Sequence, residues 1–379
     1  MDNNTGAFLE LVKAGLWENC SEFQVSQDSQ ARMSDQRSSA SSRFQDSIDW
    51  EKVYQLAEEQ SVIGVALAGI EHSAVKPSQE LLLQWIGEVQ ILEQQNMAMN
   101  QFVAELIEKL RRTDIYTLLV KGQGVAQCYV RPLWRACGDV DLLLSAENYE
   151  KAKGGLTPLA DHVDPENKEK RHLGLSIGDW IVELHGTMHV EMSRRMNKGI
   201  DAVQNDCFYG GNVRSWDNNG TTIFLPSPDN DVILVFTHIL EHFFIEGVGL
   251  KQVCDWCRLL YTYRDSLNYG LLEKRIRKME LVTEWKVFGA LAVDELGMPK
   301  EAMPMYESRF HQRGQRVLSR IMKSGNMGHN NDLSYRSKYS GLTYKLVALW
   351  RRMKDFAGFT KIFPIDAPKF FIHYVFRKI

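Results

Sequence analysis

Apolar residues recur at helical spacing over the first third of the chain and again over the last, and the stretch between them reads as short strands. Residues 5–17 carry a short helical pattern. Residues 26–47 follow it with Ser, Gln, Arg and Asp and little apolar content, which predicts a mobile loop. From Trp50 to about Arg112 the spacing is helical throughout: Val53, Leu56 and Ala57, then Leu81, Trp85 and Val89, later Phe102, Leu106 and Leu110. This predicts an N-terminal helical unit.

The pattern changes at Ile115. Residues 115–120 form a compact β-branched and apolar run ended by Lys121-Gly122-Gln123-Gly124, a buried strand entering a glycine turn. Residues 125–130 suit a short helix, and 139–144 a second strand. Ser145 supplies the N-cap of a helix around 146–153. Residues 172–177 and 180–185 read as strands joined by Gly178-Asp179, a two-residue connection suited to a tight hairpin. A further strand over 221–225 precedes Pro226-Ser227-Pro228, and helical spacing then runs from Asp229 almost to Pro299. The expectation is an α+β fold in which a small mixed β-sheet core is flanked by N-terminal and C-terminal helical units. The predicted divisions are 1–112, 113–226, 227–334 and a tail over 335–379 packed on the body.

Composition narrows the field. With 379 residues, 44% of them hydrophobic, the chain can fill more than one core. A formal net charge of −3 gives no global basic field for nonspecific nucleic-acid binding. The polar start and the lack of a long uninterrupted apolar run predict neither a secretory leader nor a spanning helix, so a cytoplasmic protein is expected. Six cysteines in mostly apolar or helical contexts predict reduced thiols.

The most informative feature is Asp139-Val140-Asp141. Side chains at i and i+2 of a strand share a face, which sets two carboxylates side by side. Adjacent anions repel unless a cation lies between them, and Mg²⁺, with Mn²⁺ able to replace it, suits oxygen ligands. Glu183 sits in Ile181-Val182-Glu183-Leu184-His185 and shares a strand face with His185. If this strand lies beside that of Asp139, three carboxylates converge, the equipment for two-metal phosphoryl or nucleotidyl transfer. An Asp-x-Asp triplet alone is often only a strand-end turn. Here a glycine turn precedes it and a carboxylate strand follows at a distance that leaves room for one helix.

The run LLVKGQGVAQCYVRPLWRACGDVDLLL, followed by IVELHGTMH, resembles the bacterial family of uncharacterised nucleotidyltransferases within the DNA polymerase β-like superfamily. The matching positions are Lys121 and Gly122, Tyr129, Arg135, Asp139 and Asp141, and Glu183 with His185. A weaker likeness continues to a helix with His238 and His242 and to Asp255. The resemblance implies Mg²⁺-dependent transfer of a nucleoside monophosphate from an NTP to an acceptor, with pyrophosphate released. It also implies a link to surface polysaccharide biosynthesis, with the acceptor itself unidentified. Asp139, Asp141 and Glu183 are then the catalytic metal ligands, and Glu183 helps the acceptor hydroxyl lose its proton. Lys121, Gly122 and Arg135 hold the phosphates, and Gln123 belongs to the nucleotide-binding turn. Many relatives carry Gly-Ser at that turn, whereas Gln123 follows Gly122 here.

Other signals carry less. His238 and His242 share a helix face, for which packing is the commoner role and a contribution to the pocket the functional one; His185 is a further auxiliary candidate. Cys254-x-x-Cys257 has no second pair and lies in a helical pattern, so neither zinc nor redox chemistry is expected. The tail mixes Lys and Arg with Trp and Phe, a composition compatible with peripheral membrane contact, although packing on the body is the commoner outcome. Two further functional readings remain beside the enzyme: a catalytically silent binding or regulatory module, and a toxin-antitoxin-type nucleotidyltransferase acting on a protein or tRNA.

Overall fold

The computed structural model describes residues 2–18, 48–328, 330 and 341–378. The loop expected over 26–47, Cys20 and the first residues of the basic tail lie outside these. Helices α1 (Asn3–Leu16), α2 (Trp50–Glu59), α3 (Ile63–His72) and α4 (Gln79–Arg111) make up the N-terminal part. Asp2, Asp49 and Ser78 cap three of them, each accepting from a backbone N–H one turn on, as the polar residue before each apolar pattern would suggest. Helices α1 and α3 cross at glycines. A Cβ on Gly15 would lie 1.9 Å from the Val65 carbonyl oxygen, so only hydrogen at this position admits the approach.

The central sheet contains β1 (Thr117–Val120), β2 (Asp139–Leu144), β3 (His162–Val163), β4 (His172–Ile177) and β5 (Trp180–His185), in the order β1-β2-β5-β4-β3. Strands β2 and β5 are parallel and the other neighbours antiparallel. A parallel pair needs a long crossover. Here α6 (Ala146–Leu156), capped by Ser145, and the strands after it supply one; the short helix expected over 125–130 is instead α5 (Gly122–Ala126), which begins on the glycine turn itself. The hairpin β4–β5 turns at Gly178, φ +56°, as expected. Beyond α7 (Arg194–Phe208) lies a second hairpin, β6 (Val213–Asn218) and β7 (Thr221–Pro226). The apolar pattern predicts β7 but not β6. Asn219 and Gly220, both with positive φ, form the Asn-Gly turn that would have marked β6.

Period-two alternation gives the sheet two unlike faces. Val140, Leu142 and Leu144 of β2, Leu173 and Leu175 of β4, and Val182 and Leu184 of β5 pack with Val103, Leu106 and Leu110 of α4 and with Tyr149 and Leu156 of α6. The opposite face carries Asp139, Asp141, His172, Glu183 and His185. It looks toward α8 (Pro228–Ile245) and α9 (Leu250–Thr262).

Helices α10 (Tyr269–Lys278), α11 (Val282–Ala290), α12 (His311–Ser324), α13 (Gly341–Phe359) and α14 (Asp366–Lys378) complete the chain. A single apolar cluster joins α1, α3, α8, α9 and α11 to the last two helices. Aromatic residues of the tail are part of it: Phe244 lies 5.2 Å from Phe370 and Phe243 lies 5.1 Å from Phe359, between ring centroids. No helix among the described residues is long and apolar enough to cross a membrane.

Candidate active site

The parallel register sets Asp141 opposite Glu183 and Asp139 opposite Ile181. Alternation then directs all three carboxylates to one side, and one oxygen from each lies within 4.8 Å of the others. They border a cavity of about 510 Å³ between the sheet and helices α8 and α9. Asp141 is buried, and its Oδ1 accepts from Lys121 Nζ at 2.6 Å and lies 2.7 Å from His185 Nε2. Glu183 Oε2 lies 3.2 Å from His172 Nε2 and 3.3 Å from His185 Nε2. Asp139 has no ion-pair partner among the described residues.

The charges follow from these contacts. The Asp141 charge, reinforced by burial, pushes the Asp139 carboxyl above its ordinary range, and Lys121 only partly offsets it. For Glu183 burial acts upward. The hydrogen bonds from His172 and His185, with the Lys121 charge, outweigh it and hold the carboxyl well below the usual range. Burial would lower His185 and Lys121, yet both are raised because the carboxylates stabilise their cations. A divalent ion fits this donor set. Its ligands are hard oxygens, and Asp139 is an anion held against its neighbours with no counter-charge of its own.

The turn that delivers Lys121 is strained. Lys121 has φ +56° and Gly122 φ +39°, and a Cβ on Gly122 would lie 3.2 Å from Cys137 Sγ and 3.4 Å from the Asp139 carbonyl oxygen. This explains the glycine: it lets the turn press against the start of β2. The Gln123 side chain points away from the cavity, which leaves only its backbone to face a nucleotide at this turn. Its amide nitrogen donates to Asn96 Oδ1 at 2.6 Å and approaches the Met99 sulfur at 3.4 Å, in the interior, and it does not line the cavity.

Arg135 borders the cavity, but Asp255 on α9 takes its guanidinium, Nε to Oδ1 at 3.0 Å and Nη2 to Oδ2 at 2.6 Å. The Tyr129 hydroxyl donates to the same carboxylate at 2.8 Å. A guanidinium held in this bidentate way fixes the loop before β2 and has little left for a phosphate. Three positions of the family likeness, Tyr129, Arg135 and Asp255, are therefore one buried hydrogen-bonded cluster.

His238 and His242 both line the cavity from α8, with ring centroids 4.3 Å apart. His242 Nδ1 lies 3.1 Å from Glu246 Oε2. Burial, then the Lys121 and His242 charges, push His238 well below its usual value, so its imidazole is neutral at neutral pH. His189, beside Asp201 at 2.6 Å, lies on the same rim. Cys254 and Cys257 are buried, unbridged and pushed up by burial, in keeping with a packing role.

Among the cavity residues that sequence reasoning did not single out are Lys251 and His172. Lys251 lines the cavity from α9, has no ion pair among the described residues, and is lowered by burial and by the Arg135 charge. Nothing local in the sequence marks it. For His172 a signal existed: a hairpin that turns between Ile177 and Trp180 necessarily places His172 opposite His185.

Residues 46–293 match the family described as uncharacterised nucleotidyltransferase, and the chain belongs to that family. The match runs from the start of α2 through α11 and contains every cavity residue discussed above. No curated protein and no solved structure matches the chain.

Proposed function

We propose that this cavity transfers a nucleoside monophosphate from an NTP to an acceptor hydroxyl. The observation that carries the reading is the convergence of Asp139, Asp141 and Glu183 on one cavity wall, with Asp139 unpaired. In the reaction the acceptor oxygen bonds to the α-phosphorus, the bond to the bridging oxygen breaks, and pyrophosphate leaves. Mg²⁺, or Mn²⁺ in its place, would be held by the three carboxylates and would supply charge neutralisation of the triphosphate and activation of the hydroxyl.

The chain's own residues divide the remaining work. Lys121 and Lys251 flank the carboxylates and attract the phosphates. His185 touches both Asp141 and Glu183 and sets their orientation. Glu183 would complete the ligand set and help the acceptor hydroxyl lose its proton. Asp139, which has no ion-pair partner among the described residues, would gain its counter-charge from the bound ion. Neutral His238 offers a hydrogen bond without adding charge.

Full-length protein incubated with each NTP, Mg²⁺ and a panel of saccharide, tRNA and protein acceptors should release pyrophosphate with one of them. A saccharide is the first to try, on the family resemblance. The Asp139→Ala, Asp141→Ala double variant should lose the activity by about a thousandfold or more, several kcal/mol of transition-state stabilisation. Equal release by the variant would exclude the mechanism. Tight NTP binding with no release from any acceptor would favour the silent binding module.

A further inference from the structure

The carboxylate wall continues into a group of different chemistry. His172 starts β4, and its cross-strand partner is His185 at the end of β5. Their rings lie 4.8 Å apart between centroids on the cavity side of the sheet, and Glu183 stands beside them on β5. One ligand atom from each of His172, Glu183 and His185 falls within 4.8 Å of the others. All three residues line the cavity, and the His172 and Glu183 side chains are 34% and 27% exposed, so positions opposite the protein ligands are open.

We propose that His172, Glu183 and His185 form a second metal site, selective for a transition-metal dication of the Zn²⁺ class and adjoining the all-oxygen site through the shared Glu183. Spacing supports this. Around an ion with bonds of about 2.0–2.1 Å, the ligand atoms of a tetrahedron stand about 3.3 Å apart. The two imidazole nitrogens lie 3.2 and 3.3 Å from Glu183 Oε2. Without an ion these contacts are long hydrogen bonds to Glu183, and an ion would take their place with little movement of the three side chains. His185 shows the contrast on one nitrogen, since its distance to Asp141 is 2.7 Å.

Donor type separates the two sites. Two imidazoles and one carboxylate with open positions suit Zn²⁺, Co²⁺ or Fe²⁺, and three carboxylates suit Mg²⁺. The wall is also held in place before any ion arrives. Arg171 has φ +46°, and the His172 backbone is fixed by reciprocal hydrogen bonds with Asn167 at 2.9 and 3.1 Å. An ion bound at His185 Nε2 would displace any proton there to solvent and end the contact with Asp141. Asp141 would keep Lys121 as its partner.

The site shares Glu183 with the transferase reading but needs no turnover, so the two can fail separately. The test is titration of chelator-treated full-length protein with Co²⁺ alone, followed by visible absorption, and with Zn²⁺ by calorimetry. One equivalent of Co²⁺ should develop the intense bands of a low-coordinate ion. The His172→Ala variant should lose them and bind Zn²⁺ at least about a hundredfold more weakly, beyond the 10- to 100-fold of an outer-shell change. Asp139→Asn should keep them.

Because His172→Ala could disturb the hairpin, His172→Cys is the second variant. It should retain the ion and add a thiolate-to-cobalt charge-transfer band. Bands that survive in His172→Ala, or that vanish in Asp139→Asn and persist in His172→Ala, would overturn the assignment. So would a spectrum indistinguishable from aqueous Co²⁺.

Discussion

Arg135 and Asp139 are separated by one short loop, yet their charges meet opposite fates. At Arg135 the interior supplies one carboxylate for one guanidinium, aligned in a bidentate pair and completed by the Tyr129 hydroxyl. That cluster is closed. At Asp139, Asp141 and Glu183 three carboxylates share Lys121 and the imidazoles of His172 and His185, and Asp139 is left over. The difference teaches how to tell a structural ion pair from a working site. What marks the working site is an imbalance that a ligand must correct, rather than burial or charge as such.

The comparison breaks most visibly at the closed cluster. Asp255→Ala would strand the Arg135 guanidinium and should destabilise the protein by about 3–5 kcal/mol in chemical unfolding. Replacing both partners, Arg135→Met with Asp255→Leu, should recover most of that loss, because no unpaired charge remains. A cost for Asp255→Ala below about 1 kcal/mol would show that the pair is not the closed unit described.

At the open cluster the corresponding change should spare stability and affect binding. Lys251→Ala removes an ammonium that burial already penalises, so the midpoint of unfolding should hold or rise slightly. With the acceptor found, KM for the NTP should increase about 10- to 100-fold, the worth of about 1.5–3 kcal/mol for a charged hydrogen bond. An unchanged KM would remove Lys251 from the phosphate site.

The smallest effect is also the sharpest discriminator. Asp139 has a raised carboxyl in the folded state, so its ionisation opposes folding. That penalty is fully present above the raised value and disappears as pH falls below the ordinary value, the reverse of a paired carboxylate. Metal-free Asp139→Asn should therefore melt about 1–2 °C higher than the parent at neutral pH. The gap should close on acidification, as the parent's own Asp139 takes up a proton. Divalent-ion affinity of the parent should weaken over the same range, because the ion and the proton compete for one oxygen. A gap that widened at low pH would contradict the assignment.

Much of this was legible in the residues. Strand alternation alone put Asp139 with Asp141 and Glu183 with His185, and Gly178-Asp179 fixed the hairpin and, with it, the position of His172. The Asn219-Gly220 turn carried the same kind of information for β6. These are local facts, set by the two-residue period of a strand and by the backbone angles a turn demands.

Tertiary structure decided the rest. That β2 lies parallel to β5 with Asp141 opposite Glu183 depends on which apolar faces bury together against α4 and α6. That Arg135 spends its charge on Asp255, that Gln123 turns inward to Asn96, and that Lys251 reaches the cavity all depend on where α4 and α9 come to rest. Side chains that are distant in the chain meet only when packing brings their elements together, and no period or turn signal encodes that meeting.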